Sequence, residues 1–552
     1  MIRRKQLFSA LLTLGLCSFA GTAALAGEIT IINQDVGTGQ GLDDATPATP
    51  VGGNPGTTRG EQAYNVFRFA ADLWGSVLQS DIPVKNSVTF EGLQCNATSG
   101  VLGSSGTYYI FTFDDGDDLP AGALPNVWYH SALTDALAGE DAVAADPGIP
   151  DPNTPDIVSR FNGDLGKTGC LTGSGWYFGF DGNTPPGQIN FLNVVMHEMA
   201  HGLGFSGFNN LASGQMNQNV PDIYSIFVKD NSTNQMWTDM TDTQRRTAAL
   251  NDGHLVFTGN NVKKAAPFVL NATNGGIDAD GNVQLYAPAA LAQGSSFSHY
   301  DTRLTPNAIM EYAINNDLEG QIDLDLTPVL LKDEGWGLNE GGQMLLSCDT
   351  GVPTWQPNGL IVGANVLASA KSIASASANV GAYQAAMGDY IAGLASDGLL
   401  SEEEVTSLTA CIADQPAGEQ YDEWGPADGG DGGDGGDGGD GGDGDIQAIE
   451  LTNGVALGGQ SGTAGGEILY KIEVPANALG LSMRSFGGSG DVSVFVKIDG
   501  EPSEADNDYK SVHLGNNEAV TVPRPATGTY YIKVVGVNAF SGVNVQGSFI
   551  QR

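Results

Sequence analysis

The chain is 552 residues long, with 23 Lys and Arg against 64 Asp and Glu and a formal net charge of −41. So acidic a balance repels phosphate backbones and anionic bilayers, which argues against nucleic acid and membrane surfaces as partners. It favours solubility in salt and offers many carboxylates to calcium, although a solvated acidic surface is the simpler reading.

Residues 1–26 read as a secretory leader. Arg3, Arg4 and Lys5 form a charged start, residues 7–20 an apolar stretch, and Ala24-Leu25-Ala26 a small-residue cleavage site. Removing them takes away three cations and no carboxylates, so −41 becomes −44. Cys17 is not read as a lipid attachment point, because Leu16 before it is too large for that processing site. No other stretch approaches ~18 continuous apolar residues, so no membrane insertion is expected. The expected location is extracellular, or periplasmic in transit. Cys95, Cys170, Cys348 and Cys411 remain. An even count in an exported chain implies two disulfides, with three connectivities open. Cys95–Cys170 and Cys348–Cys411 are favoured because each pair stays within one segment.

Residues 27–345 form the candidate catalytic unit. Phe67, Ala70, Ala71, Trp74 and Leu78 are spaced for one face of a helix over residues 63–79. Short β-type runs follow at 87–90 and 108–113. Residues 175–180 read as a strand before the next helix, an edge to which an extended substrate could add by backbone pairing. The next segment carries the chemistry: His197-Glu198-Met199-Ala200-His201. On a helix, positions i and i+4 share a face, so both imidazoles can reach one ion. This is the zinc-hydrolase signature H-E-x-x-H, in which the metal activates water and the glutamate takes its proton. Leu192, Val195, Met196, Met199, Ala200 and Leu203 give that helix an apolar surface, and Gly202 and Gly204 are expected to end it.

A third ligand is needed. In the pattern H-E-x-x-H-x-x-G-x-x-H the glycine turns the chain and a third histidine follows. Gly204 keeps the turn, but the ligand position is Gly207, which has no side chain to offer. The remaining histidines are His130, His254, His299 and His513. His254 lies in a long insertion, whose residues 242–250 look helical, and no methionine turn follows it. His299 is followed by Pro306-Asn307-Ala308-Ile309-Met310-Glu311-Tyr312, with Met310 11 residues on. A methionine turn beneath the metal is the second mark of the metzincins.

Taken together, H-E-M-A-H-G-L-G-F-S, the insertion, the lone histidine and the methionine resemble the leishmanolysin-type metzincins, and more closely their bacterial secreted relatives. The stretches 50–60, 70–81 and 298–311 share that look, and the resemblance covers about residues 27–340. It implies an α+β metzincin-like catalytic domain with an active-site zinc helix and a Met-turn. It also implies His197, His201 and His299 as zinc ligands, Glu198 as general base and Met310 as the turn residue. Astacin- and serralysin-type metzincins have a similar Met-x-Tyr turn. That likeness makes Tyr312 a candidate catalytic residue stabilising the oxyanion, with plain packing as the alternative role.

Residues 346–427 form a helical or irregular extension. Within it, 364–394 suits one or two helices, and Ser401 with Glu404 makes a capping box for a short helix through Cys411. Residues 428–445 repeat Asp-Gly-Gly, a composition that cannot build a core, and read as a flexible, charge-extended linker. Residues 446–552 show alternating runs at 468–474, 492–498, 519–522, 529–537 and 543–549 between Gly, Asn and Pro turns, the pattern of an all-β sandwich. Stretches 470–475, 487–492 and 528–532 resemble the bacterial pre-peptidase C-terminal domain. That resemblance makes Asp491 a candidate calcium ligand.

The reading that follows is a secreted zinc endopeptidase acting on protein or peptide substrates, with zinc as cofactor, calcium as a candidate second ion and oligomeric state open. The alternative is a catalytically silent metalloprotease-fold protein that holds an extracellular polymer through its C-terminal domain. A silent site has no need of a base, so the intact Glu198 speaks against it. A zinc hydrolase acting on a non-peptide bond is a third reading, which substrate assays discriminate.

Overall fold

The computed structural model describes residues 27–414, apart from 117–118, 272–274, 346–347 and 378–379. It also describes 448–551, apart from 452, 454–456, 476–477, 487–489, 499, 505, 513–515, 517 and 523–524. The expected leader, the Asp-Gly-Gly repeat and His513 therefore lie outside the described residues. The described chain forms two compact units, one up to Asp414 and one from residue 448 on.

The first unit opens with β1 (Ile29–Asn33), α1 (Arg59–Val77), β2 (Val84–Glu91), β3 (Gly103–Thr107) and β4 (Ile157–Asn162). The sheet order is β1-β2-β4-β3. The first three strands run parallel, and β3 closes the sheet antiparallel to β4, with Gly103 opposite Phe161 and Thr107 opposite Ile157. Its sequence, Gly-Ser-Ser-Gly-Thr, has almost no β-formers, and its strand state comes from pairing with β4. Helix α1 starts before the expected residue 63, because Thr58 and Glu61 form a reciprocal capping box. Apolar spacing reads the buried face of a helix and is blind to its polar cap. Phe67 packs edge-on against Phe161 at 5.0 Å and against Phe191 at 5.4 Å, joining α1, the sheet and the helix that starts at Phe191 in one core.

Next come β5 (Gly175–Tyr177) and β6 (Gln188–Asn190), paired in parallel, and then α2 (Phe191–Leu203). The strand expected over 175–180 is thus shorter, and β6 rather than β5 leads into α2. The insertion after α2 folds into β7 (Val228–Asp230), β8 (Gln235–Met236), α3 (Asp242–Ala248), β9 (Leu255–Phe257), α4 (Asn260–Val269) and β10 (Val283–Gln284). Its strands order as β8-β7-β9-β10. Buried Trp237 and Tyr224 pack on Phe297, at 4.4 and 5.4 Å between ring centres. The insertion's buried residues thus join the core of the first unit, and Phe297, two residues before His299, is among them.

Beyond it lie α5 (Thr327–Glu334), β11 (Gly342–Leu345), β12 (Cys348–Pro353), α6 (Val362–Ser375), α7 (Val380–Ser396) and α8 (Glu402–Asp414). The described part of the 346–427 extension belongs to the first unit. Lys371 of α6 pairs with buried Asp72 of α1 at 2.6 Å, and Ser372 Oγ donates to the Gly53 carbonyl at 2.9 Å. The 364–394 stretch forms two helices, and α8 begins at the Ser401/Glu404 box. The cysteines join as Cys95–Cys170 and Cys348–Cys411. No helix among the described residues is long and apolar enough to cross a membrane.

The second unit is all β: β13 (Ile449–Glu450), β14 (Leu457–Gly462), β15 (Glu467–Val474), β16 (Ala478–Phe486), β17 (Val492–Ile498), β18 (Tyr509–Ser511), β19 (Glu518–Val522), β20 (Gly528–Gly536) and β21 (Phe540–Gln551). Two sheets form, ordered β13-β15-β20-β17-β18 and β14-β21-β16-β19. Ile472, Val494 and Ile532 of one sheet share a single core with Leu481, Met483 and Val545 of the other, which makes the unit a sandwich.

Candidate metal centre

The site is assembled around α2. Asn190 caps the helix by accepting from the Asn193 N–H at 3.0 Å, and His197, Glu198 and His201 follow about two and three turns on, all buried. Of the glycines expected to end α2, Gly204 does so as its C-cap, and both also serve close approach. Gly202 is helical, and a Cβ there would lie 2.3 Å from Ile157 of β4; one on Gly204 would lie 2.2 Å from a Glu334 oxygen. Position 207 shows where the chain brings His299. The Gly207 N–H donates to Ser298 Oγ at 3.3 Å, and a Cβ on Gly207 would meet the Phe297 ring at 2.7 Å. The insertion therefore returns to the place where the short pattern puts its third histidine, and delivers Ser298-His299 there.

The Nε2 atoms of His197, His201 and His299 stand 3.1–3.2 Å apart. Each Nδ1 faces a backbone carbonyl: Ile309 for His197 at 2.7 Å, Phe205 for His201 at 2.8 Å, and Ser295 for His299 at 2.8 Å. A carbonyl only accepts, so each Nδ1 carries the proton and each Nε2 presents a lone pair. Burial keeps the rings neutral, pushing His197 down to about 4, His201 down to about 3 and His299 well below the usual histidine range. Three converging lone pairs repel one another unless a cation lies among them. Zinc–imidazole bonds are about 2.0–2.1 Å, which nitrogens at this spacing can all make to one ion. Among the described residues this is the one group of three or more His, Cys, Asp or Glu side chains with ligand atoms gathered this closely.

Glu198 lines the same cleft. Burial pushes its carboxyl up to about 8, and a hydrogen bond from the Ser105 N–H of β3 works in the other direction. Gly103 lets β3 come this close: a Cβ there would lie 2.6 Å from Glu198 Oε1. The cleft has a volume of about 1000 Å³ and is lined by residues 98–105, the start of α2 and residues 311–316. Its lining includes no Lys or Arg, and none of residues 175–180. The strand edge facing it is thus β3, not the stretch expected from sequence. β3 escaped notice because its glycines and serines carry no β signature.

Met310 is fully buried, in a turn where the Glu311 N–H reaches the Ala308 carbonyl at 3.1 Å. Tyr312 lines the cleft, is 45% exposed, and stacks on Tyr286 at 4.2 Å. His254 is exposed and outside the cluster. His130 is buried and its Nε2 meets Ser206 Oγ at 2.9 Å. Asp491 is buried in the second unit, accepts from Asn538 Nδ2 at 3.3 Å, and belongs to no such ligand group among the described residues.

Comparison with known proteins reaches the second unit. Residues 466–536 match the model of the bacterial pre-peptidase C-terminal domain. The chain is 32% identical over 100 residues to alkaline serine exoprotease A of Vibrio alginolyticus, which is 18% of each chain. It is 29% identical over 96 residues to a zinc metalloprotease of Helicobacter pylori, 17% of this chain and 37% of that one. A hemagglutinin/proteinase of Vibrio cholerae is also 29% identical over 96 residues, 17% of this chain and 16% of the relative. The chain thus spans under a fifth of the first of these relatives. Among solved structures, vEP C-ter 100 in solution shows 25% identity over 19% of this chain and all of its own, at a TM-score of 0.17. The C-terminal domain of a Bacillus anthracis collagenase shows 12% identity over 20% of this chain and all of its own, at a TM-score of 0.16. The C-terminal unit carries a bacterial pre-peptidase C-terminal domain.

Proposed function

We propose that the first unit is a zinc-dependent endopeptidase of metzincin type, exported and joined by an Asp-Gly-Gly linker to its C-terminal domain. The observation that carries this reading is the meeting of three neutral imidazole Nε2 atoms within 3.2 Å, in a cleft that also holds Glu198. Relatives named as a serine exoprotease, a zinc metalloprotease and a proteinase share the C-terminal domain, which supports a protease without selecting its chemistry.

His197, His201 and His299 would hold the ion, which when bound supplies an activated water and polarises the scissile carbonyl. Glu198 accepts the proton of the attacking water and passes it to the leaving amine. Burial makes this carboxyl more basic than an exposed glutamate, and a divalent cation beside it lowers that basicity again. The Ser105 N–H fixes the carboxylate on β3. The same strand ends its sheet, so an extended peptide can add along it and meet the base in register. One strand then aligns both substrate and base. Metal analysis of the purified protein, with casein hydrolysis measured with and without a chelator, tests the reading. Sub-stoichiometric zinc, or hydrolysis indifferent to chelator, would overturn it.

A further inference from the structure

The three imidazoles are not held alike. His201 donates to the Phe205 carbonyl four residues on, and His299 to the Ser295 carbonyl four residues back. Both are oriented by their own local chain. His197 is oriented by Ile309, 112 positions away. Where His197 aims therefore depends on where Ile309 stands.

Ile309 is gripped from its other side as well. Its N–H donates to Asp325 Oδ2 at 2.5 Å. The second oxygen, Asp325 Oδ1, accepts from the Leu326 N–H at 2.5 Å and from Thr327 Oγ1 at 3.2 Å, at the start of α5. The N–H of Asp325 itself donates to Asp323 Oδ1 at 2.8 Å. Asp325 is buried and sits at φ +47°, a conformation that non-glycine residues adopt only where the surroundings enforce it. Packing against Gly359, where a Cβ would lie 2.7 Å from Asp325 Cα, is part of that enforcement. A strained, buried carboxyl thus spends one oxygen on α5 and the other on the residue that orients a proposed ligand.

We infer that Asp325 is a positioning residue for the metal: it anchors Ile309, whose carbonyl fixes the tautomer and direction of His197. The inference rests on the zinc reading above. Outer partners of metal-bound histidines commonly carry ~10–100-fold of the affinity. Here the partner is a carbonyl in a turn, so the anchor of that turn inherits the role.

The test measures zinc affinity by competition with a chromogenic chelator, alongside the His197 Nδ1 proton resonance, in the full-length protein. Asp325→Ala is expected to weaken zinc binding by ~10-fold or more and to move the resonance. Asp325→Asn keeps an oxygen for the Ile309 N–H but sets its amide NH2, a donor, against the Leu326 N–H, so its zinc affinity and resonance should fall between those of Asp325→Ala and the parent. Thr327→Val leaves that hydrogen bond intact but removes one of the two donors to the other oxygen, and should move the resonance the same way by less. If the unmodified protein takes up no zinc, the zinc reading fails and this proposal with it. If it does, and folded Asp325→Ala binds within about twofold with an unmoved resonance, the role of Asp325 alone is overturned. If Asp325→Ala does not fold, an unmoved resonance in Thr327→Val overturns it.

Discussion

The two units are organised in opposite ways. In the second, β20 pairs with both of its neighbours in long, regular registers: β15 meets β20 without interruption from Glu467 opposite Val535 to Val474 opposite Gly528, and β17 meets it from Val492 opposite Gly536 to Ile498 opposite Tyr530. In the first, the groups that converge come from far apart. His299 meets His201 across 98 positions, and Ile309 meets His197 across 112. The likeness to known proteins reported above falls on the regular unit. It spans relatives named as a serine exoprotease and as a zinc metalloprotease, so the shared module does not select a chemistry. The chemistry has to be argued from the irregular convergence.

If that division holds, single atoms in the first unit should matter more than the whole of the second. Glu198→Gln removes the base and leaves all three imidazoles, so zinc should stay near stoichiometric while kcat falls by roughly 10²–10⁴-fold. Activity within tenfold of the parent would break the assigned mechanism. Gly103→Ala comes next. Its backbone is not left-handed, so an added methyl is opposed by collision with Glu198 at 2.6 Å rather than by conformation. We expect kcat to drop by ~10-fold or more with zinc content and thermal stability nearly unchanged, because the carboxylate must swing away from the bond to Ser105. Parental kcat in Gly103→Ala would show that β3 does not set the base.

Tyr312→Phe should have a smaller effect. The phenol lines the cleft and stacks on Tyr286, whose own hydroxyl is held above the usual tyrosine range by burial first and by Tyr312 second. A hydroxyl that steadies the oxyanion acts mainly in the transition state, so kcat should fall by roughly tenfold with KM little changed. An unchanged kcat would assign Tyr312 to packing against Tyr286.

The sequence made parts of this legible and hid others for physical reasons. Periodicity exposed α2, and the spacing of His197 and His201 placed both on one face. It located the sandwich strands 492–498 and 529–537 nearly to the residue, since alternation is how a half-buried strand is written. Alternation does not mark strands such as β16, with Arg484, Ser482 and Ser485, or β3. Their strand state is imposed by neighbours and not by their own side chains. The sequence marks Gly202 as a helix stop, whereas in the structure it is helical and meets Ile157. Asp325 and Ser105 carry no motif at all. Their importance exists only once the chain has brought Ile309 and Glu198 to them.

The smallest effect expected is also the sharpest test of the comparison. Proteolytic cutting within 428–445 should leave the first unit able to hydrolyse a small peptide at a rate within about twofold of the intact chain, because each unit has its own core. The same independence predicts two thermal transitions. Ile532 sits on the central strand β20 with 1% of its surface exposed, and Ile532→Ala opens a cavity worth about 2–5 kcal/mol. Only one transition should move in that variant, and zinc binding and peptide hydrolysis should stay where they were. A joint shift of both transitions, or a loss of peptide activity on cutting, would mean that the units fold as one, and that the irregular site depends on the regular module after all.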